Sequence, residues 1–267
     1  MPGRFDTWDS YFWEPGGTVL RNLYGVRDGA VLARQEYRET YLRQVAIELG
    51  RVEIPRTYDA EHVRAIHREL FGNVYEWAGE YRTVGIAKGW SNFAEPTQIE
   101  GYLADAARTI RQTSWSSLDR DEFARAAART YAYVNTAHPF REGNGRSAKV
   151  FMGQVAELSV WRIDYDPAAS GVTPEKWNQA AMLSSPDRGA HEPVPDSLVP
   201  VFRALAQPLT KPGPTAAQDT SGLMERKRAA YPKSATEATK NESGHGARVR
   251  RARPYPPGRA PEQGRGE

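Results

Sequence analysis

Nine consecutive residues, His138-Pro139-Phe140-Arg141-Glu142-Gly143-Asn144-Gly145-Arg146, hold most of the chain's chemistry. They supply a base, a carboxylate, a glycine-flanked turn and a guanidinium. Of the five histidines, His138 is the one beside such a constellation. An imidazole titrating near 6.5 suits proton abstraction close to neutral pH. Gly143 and Gly145 permit positive φ and close backbone approach, so successive N–H groups can converge on one oxyanion. Phe151, Val155 and Leu158 share one helical face, which predicts a helix over 147–158 directly after the turn. A helix start adds unpaired N–H groups and the positive end of the dipole. Arg146 brings a fork that matches phosphate, and Glu142 is placed to hold Mg2+, which takes one or two carboxylates together with phosphate oxygens. The chemistry this implies is phosphoryl or nucleotidyl transfer to an activated hydroxyl.

The same residues resemble the signature of Fic-domain proteins, His-x-Phe-x-(Asp/Glu)-Gly-Asn-Gly-Arg-x-x-Arg. The match covers His138, Phe140, Glu142, Gly143, Asn144, Gly145 and Arg146, and departs at Lys149, where the family has a second Arg. The resemblance implies a mainly α fold, a Fic-type helical bundle with a small β-hairpin flap over the active site. It implies AMP transfer from ATP to a Ser, Thr or Tyr hydroxyl, with ATP as substrate and Mg2+ as cofactor. On that template His138 deprotonates the target, Phe140 anchors the loop and Glu142 holds the metal. The backbone of Gly143, Asn144 and Gly145 and the Asn144 side chain cradle phosphates, Arg146 stabilises leaving-group charge, and Lys149 faces the γ-phosphate. Lys keeps the charge there but loses the planar fork, so ATP binding is expected to be retained and weakened.

The elements that must position these residues follow from periodicity. Tyr37, Tyr41, Val45 and Leu49, at i, i+4 spacing, predict a helix over 30–49 with Gly50 as its stop. Asp59 caps a helix reaching about Tyr75, with Val63, Ile66 and Leu70 inward. His62 and His67 lie off the spacing of paired metal ligands and read as surface histidines. Residues 97–113 form an amphipathic helix. Asp119 with Glu122 opens another that delivers the chain to His138, and Pro139 ends it. Thr173-Pro174 starts a short helix to Leu183, and 196–206 reads as a last one. Between Tyr75 and Trp90 the helical period is lost, and Thr83, Val84, Gly85 and Ile86 have strand character. The resemblance makes this stretch the flap, which docks a target segment by strand addition.

The expected organisation is an aromatic N-terminal arm and helix over 1–50, the core domain over 51–206 and a disordered tail over 207–267. The tail holds 12 Lys+Arg against 6 Asp+Glu, whereas the first 206 residues hold 24 against 27. The basic balance therefore belongs to the tail, and the core is not expected to bind nucleic acid. No cysteine is present, which removes disulfides and thiolate metal sites. No long apolar run or signal region is present, so no membrane association and a cytoplasmic location are expected. Many Fic proteins are inhibited by (Ser/Thr)-x-x-x-Glu-(Gly/Asn). The nearest stretches, Ser221 to Arg226 and Ser10 to Glu14, depart from it, so the resemblance points to a separate antitoxin supplying the inhibitory Glu and to a toxin role. Type II topoisomerase subunits are targets of similar stand-alone toxins. The alternatives are the same fold moving another nucleotide or phosphate or removing AMP, and a catalytically silent nucleotide-binding module.

Overall fold

The computed structural model describes residues 4–88 and 91–209. Eight α-helices lie among the described residues: α1 Gly29–Glu48, α2 Ala60–Phe71, α3 Ile99–Gln112, α4 Arg120–Ala137, α5 Asn144–Ala156, α6 Pro167–Ser170, α7 Pro174–Leu183 and α8 Val199–Leu205. Two antiparallel pairs accompany them, β1 Ala87–Lys88 with β2 Ser91–Asn92, and β3 Trp161–Ile163 with β4 Ala206–Pro208. The mainly α bundle with a small hairpin is the expected fold.

Capping chemistry sets the helix starts. Asp28, Asp59 and Asp119 each accept first-turn N–H groups, and Asp119 with Glu122 forms the reciprocal box anticipated for α4. α4 runs through the middle of the molecule against α3, α5 and α8. Its Phe123, Ala127, Tyr131 and Val134 are buried, as are Ile99, Tyr102, Leu103, Ala106 and Ile110 of α3. The aromatic arm packs on this body through Tyr11 and Phe12, while Trp8 stays partly exposed.

Several expectations are corrected by packing. α1 ends at Glu48, and the Tyr37, Tyr41 and Leu49 stripe that signals the helix is not its buried face. Its inward face is Leu32, Glu36, Thr40, Gln44 and Ile47, with Leu49 exposed. A polar face is tolerated there because its groups find buried partners. α2 stops at Phe71, short of Tyr75, since Gly72 ends it. His62 and His67 are buried rather than surface residues, at 1% and 0% exposure. The paired strands are 87–88 and 91–92, so Thr83, Val84, Gly85 and Ile86 form the entry leg and not the strand. The Gly-Asn-Gly turn is itself the start of α5, which begins at Asn144 rather than Ser147. Gln207 and Pro208 are not tail: they complete β4, whose pairing partner β3 has no expectation from periodicity. The remainder of the expected tail, with Ser221 to Arg226, lies outside the described residues. No described helix is long and apolar enough to cross a membrane.

Candidate active site

α4 ends at His138, which adopts a left-handed conformation at φ 37°. A non-glycine residue there is uncommon and is held only where the surroundings over-determine it. The surroundings are evident. Phe140 is fully buried and stacks on His67 with ring centroids 3.7 Å apart. His67 in turn accepts from the Gly79 N–H at Nδ1 (2.8 Å), which leaves Nε2 to donate to the Glu142 carbonyl (2.9 Å). Burial pushes the His67 imidazole down to about 3, so it is neutral and bridges the loop to the base of the hairpin segment.

Gly143 follows with φ 82°, and a Cβ on it would lie 2.3 Å from Phe71 Cζ. Glycine is required on both counts, by the backbone angle and by the aromatic wall. The Asn144 side chain closes the loop, accepting from the Phe140 N–H (2.8 Å) and donating to the Phe140 carbonyl (2.7 Å). It therefore staples the turn instead of reaching into the phosphate space expected for it. The first-turn N–H groups of α5 have no intrahelical acceptor, so the cradle is one of backbone donors and helix dipole.

These residues open onto a cleft of about 480 Å³. His138, Arg141, Glu142, Gly143, Asn144 and Gly145 form its floor, and Ile86, Ala87 and Phe93 of the hairpin segment line it with Trp8 from the N-terminal arm. Tyr131, Asn135, Trp177 and Asn178 line it from α4 and α7. Phe93 stacks on the His138 ring at 3.6 Å between centroids. The Arg141 guanidinium lies 3.9 Å from the Trp8 ring centroid.

Glu142 has a half-buried carboxyl whose Oε1 accepts from the Gly143 N–H at 2.8 Å. Burial, and then the nearby Glu36, push its carboxyl above the usual range, with Arg146 opposing. Arg146 does not line the cleft. It turns toward α1, donating to Glu36 (2.6 Å) and Thr40 (3.2 Å) and approaching Glu142 at 3.4 Å. Tyr75 donates its hydroxyl to the same Glu36. Lys149 likewise lies off the cleft, over the rings of Tyr165 (4.9 Å) and Trp177 (5.2 Å), and burial lowers its amine to about 8.

His138, Glu142 and the Gly143-Asn144-Gly145 turn are thus brought together as the motif spacing suggested, with Ile86 beside them. Thr83 instead ties the entry leg to the N-terminal arm, donating to the Phe5 carbonyl. Val84 offers its carbonyl to Arg82, and Gly85 stands near Glu95. Sequence reasoning missed Glu36, Arg82, Arg141, Phe93 and Trp8. Trp8 carried a signal as part of an aromatic cluster and Arg141 by standing inside the motif, whereas the others are set by contacts between distant segments.

A histidine at a helix end, a half-buried carboxylate and a donor-rich helix start facing one cleft define a nucleotide-handling site of the transferase kind. Residues 57–156 match the model of the Fic/DOC family. The chain is 31% identical over 173 residues to the "Probable protein adenylyltransferase Fic" of Escherichia coli, covering 64% of this chain and 82% of that one. It is 41% identical over 156 residues to the protein adenylyltransferase VbhT of Bartonella schoenbuchensis, covering 58% of this chain and 32% of VbhT. Among solved structures, BepC of Bartonella tribocorum with bound AMPPNP superposes with a TM-score of 0.61 at 25% identity, over 73% of this chain and 95% of that one. The Fic domain of a Bartonella quintana effector with bound ADP gives 0.63 at 27%, over 74% and 94%. The chain belongs to the Fic/DOC family.

Proposed function

We propose that the chain is a protein adenylyltransferase, moving AMP from ATP to a Ser, Thr or Tyr hydroxyl of a target protein. The observation that carries this reading is the convergence of His138, Glu142 and the α5 start on one cleft beneath the hairpin. His138 takes the hydroxyl proton as the oxygen attacks the α-phosphorus. The bond from that phosphorus to the bridging oxygen of the β-phosphate breaks, and pyrophosphate leaves with that electron pair. The α5 N–H groups face the charge that builds on the phosphates, and Phe140 and Asn144 keep the loop in place for that task.

Among the described residues no group of three or more His, Cys, Asp or Glu is arranged for a metal. A single cleft-lining carboxylate fits Mg2+, which takes most of its ligands from water and phosphate oxygens. Glu142 would hold it, and its charge beside Glu36 favours a cation. When bound, the ion would neutralise phosphate charge. Arg146 serves as counter-charge to Glu36 and Glu142. The hairpin supplies main-chain groups for a docked target strand, with Ile86 and Ala87 against the cleft.

A toxin role in the cytoplasm, with a separate antitoxin supplying the inhibitory Glu, is part of this reading because Ser10 to Glu14 and Ser221 to Arg226 depart from the inhibitory pattern, and a type II topoisomerase subunit is the target we would test first. The arm and first helix, the core, and a basic tail starting after β4 are the proposed organisation. Lys149, set off the cleft, favours one second reading, transfer of a different nucleotide by the same site.

The test is incubation of the purified chain with Mg2+, bacterial lysate and ATP labelled on its α-phosphate, beside His138→Ala. Labelling of a protein band should fall by about 10²–10⁴-fold in the variant. Label arriving from α-labelled UTP but not from ATP would replace AMP by UMP. Label that persists undiminished in His138→Ala would overturn the base assignment.

A further inference from the structure

Arg82 is 2% exposed and ranks among the largest fully buried side chains, yet among the described residues no carboxylate hydrogen-bonds to it. Among the described residues its guanidinium donates to main-chain carbonyls. Nε donates to the His138 carbonyl (2.8 Å), Nη1 to Val84 (2.8 Å), and Nη2 to Ala94 and to Ala137 (3.2 Å). These acceptors come from three places that the motif treats as separate. Ala137 and His138 are the end of α4 and the left-handed turn. Val84 lies on the leg entering the hairpin, and Ala94 on the leg leaving it. Main-chain bonds run alongside, from the Arg82 N–H to the Pro139 carbonyl (2.8 Å) and from the Ala94 N–H to the Thr136 carbonyl (2.9 Å).

The hairpin is only two residues per strand, too short to hold its own position in water. Its place over the cleft therefore depends on its legs. The His138 backbone conformation likewise depends on its surroundings. One rigid fork serves both, and Lys could not, since an ammonium on a flexible stem lacks the planar set of donors.

We propose that Arg82 is a positioning residue for the transfer step, fixing the His138 backbone and both hairpin legs in one frame so that a target docked on the hairpin meets the base in register. This rests on the transferase reading for its catalytic consequence, while the mechanical coupling stands apart from it. Arg82 does not itself line the cleft, and it reaches the His138 main chain from behind without touching the α5 N–H groups. Its loss should therefore spare nucleotide binding and reduce turnover.

The test uses the full chain with Arg82→Ala and Arg82→Lys. Calorimetry with ATP and Mg2+ should give dissociation constants within about threefold of the parent, while labelling of lysate protein falls on the order of 10²-fold in Arg82→Ala and less in Arg82→Lys. Added guanidinium ion at non-denaturing concentration should restore part of the Arg82→Ala activity, and methylammonium should not. Hydrogen exchange should quicken together in 83–95 and 138–140, with α3 and α5 at parental rates. Unchanged labelling in Arg82→Ala would overturn the proposal. So would loss of ATP affinity in proportion to activity, or faster exchange throughout the core in both variants. If the parent labels nothing, the transferase reading fails, and the exchange pattern alone then decides the coupling.

Discussion

At the scale of single residues, the site depends on backbone angles that most side chains avoid. His138 is held left-handed by a stacked ring, a buried loop and carbonyl contacts to Arg82. Gly143 needs both its φ of 82° and its missing Cβ, because Phe71 occupies the space. Gly143→Ala should cost about 2–5 kcal/mol by combining αL strain with overpacking against that ring. Denaturant unfolding of the purified variant checks this, and a loss below about 1 kcal/mol would mean that the loop relaxes away from Phe71. Gly145 is different, since a Cβ there meets nothing within 4 Å. Its value is the open approach it leaves to its N–H.

At the scale of elements, α1 has a second task besides covering the bundle. Glu36, 1% exposed, pairs with Arg146 and accepts from Tyr75, so the helix reaches the motif through a buried charge. Removing one partner of such a pair strands the other in a dry environment. Glu36→Gln should lower stability by about 3 kcal/mol, near the low end for a broken buried pair because Glu142 still faces Arg146. Combining it with Arg146→Met should recover part of that loss, since the orphaned charge is then gone. A double-variant cycle by chemical denaturation reads this directly. Simple additivity of the two losses would show that the pair is not coupled. The polar face of α1 thus has a physical reason that a search for apolar spacing does not detect.

At the scale of the whole molecule, one apolar cluster runs from Tyr11 of the arm to Ala206 of β4, and the buried histidines sit inside it. His67 carries a pH consequence for the fold as a whole. Its folded value near 3 lies below the ordinary 6.5, so the unfolded chain takes up a proton that the folded chain refuses. Stability from this group is present above about pH 6.5 and is lost as pH falls toward about 3, amounting to about 3 kcal/mol by about pH 4. Thermal unfolding followed across that range should show the decline. His67→Gln should be less stable at neutral pH and show a shallower slope. An unchanged slope in that variant would shift the effect to carboxylates elsewhere.

The motif from His138 to Arg146, the caps at Asp59 and Asp119, and the inward stripes of α3 and α4 were all legible in the sequence, because each is decided by neighbours within one or two turns. The β3–β4 pair was not legible, since its two strands lie far apart in the chain and neither has a period of its own. The hairpin's existence could be read from the glycines, but its register could not, because the legs are set by Arg82 and by the Ala94–Thr136 bond. By itself the sequence determined the family signature, the places of His138 and Glu142 within it and a helix directly after the Gly-Asn-Gly turn. Only the tertiary structure decided that Arg146 faces Glu36, that Lys149 rests on aromatic rings, and that His67 and Arg82 are buried. A side chain's partners across the core depend on how distant segments pack, and local spacing does not encode that.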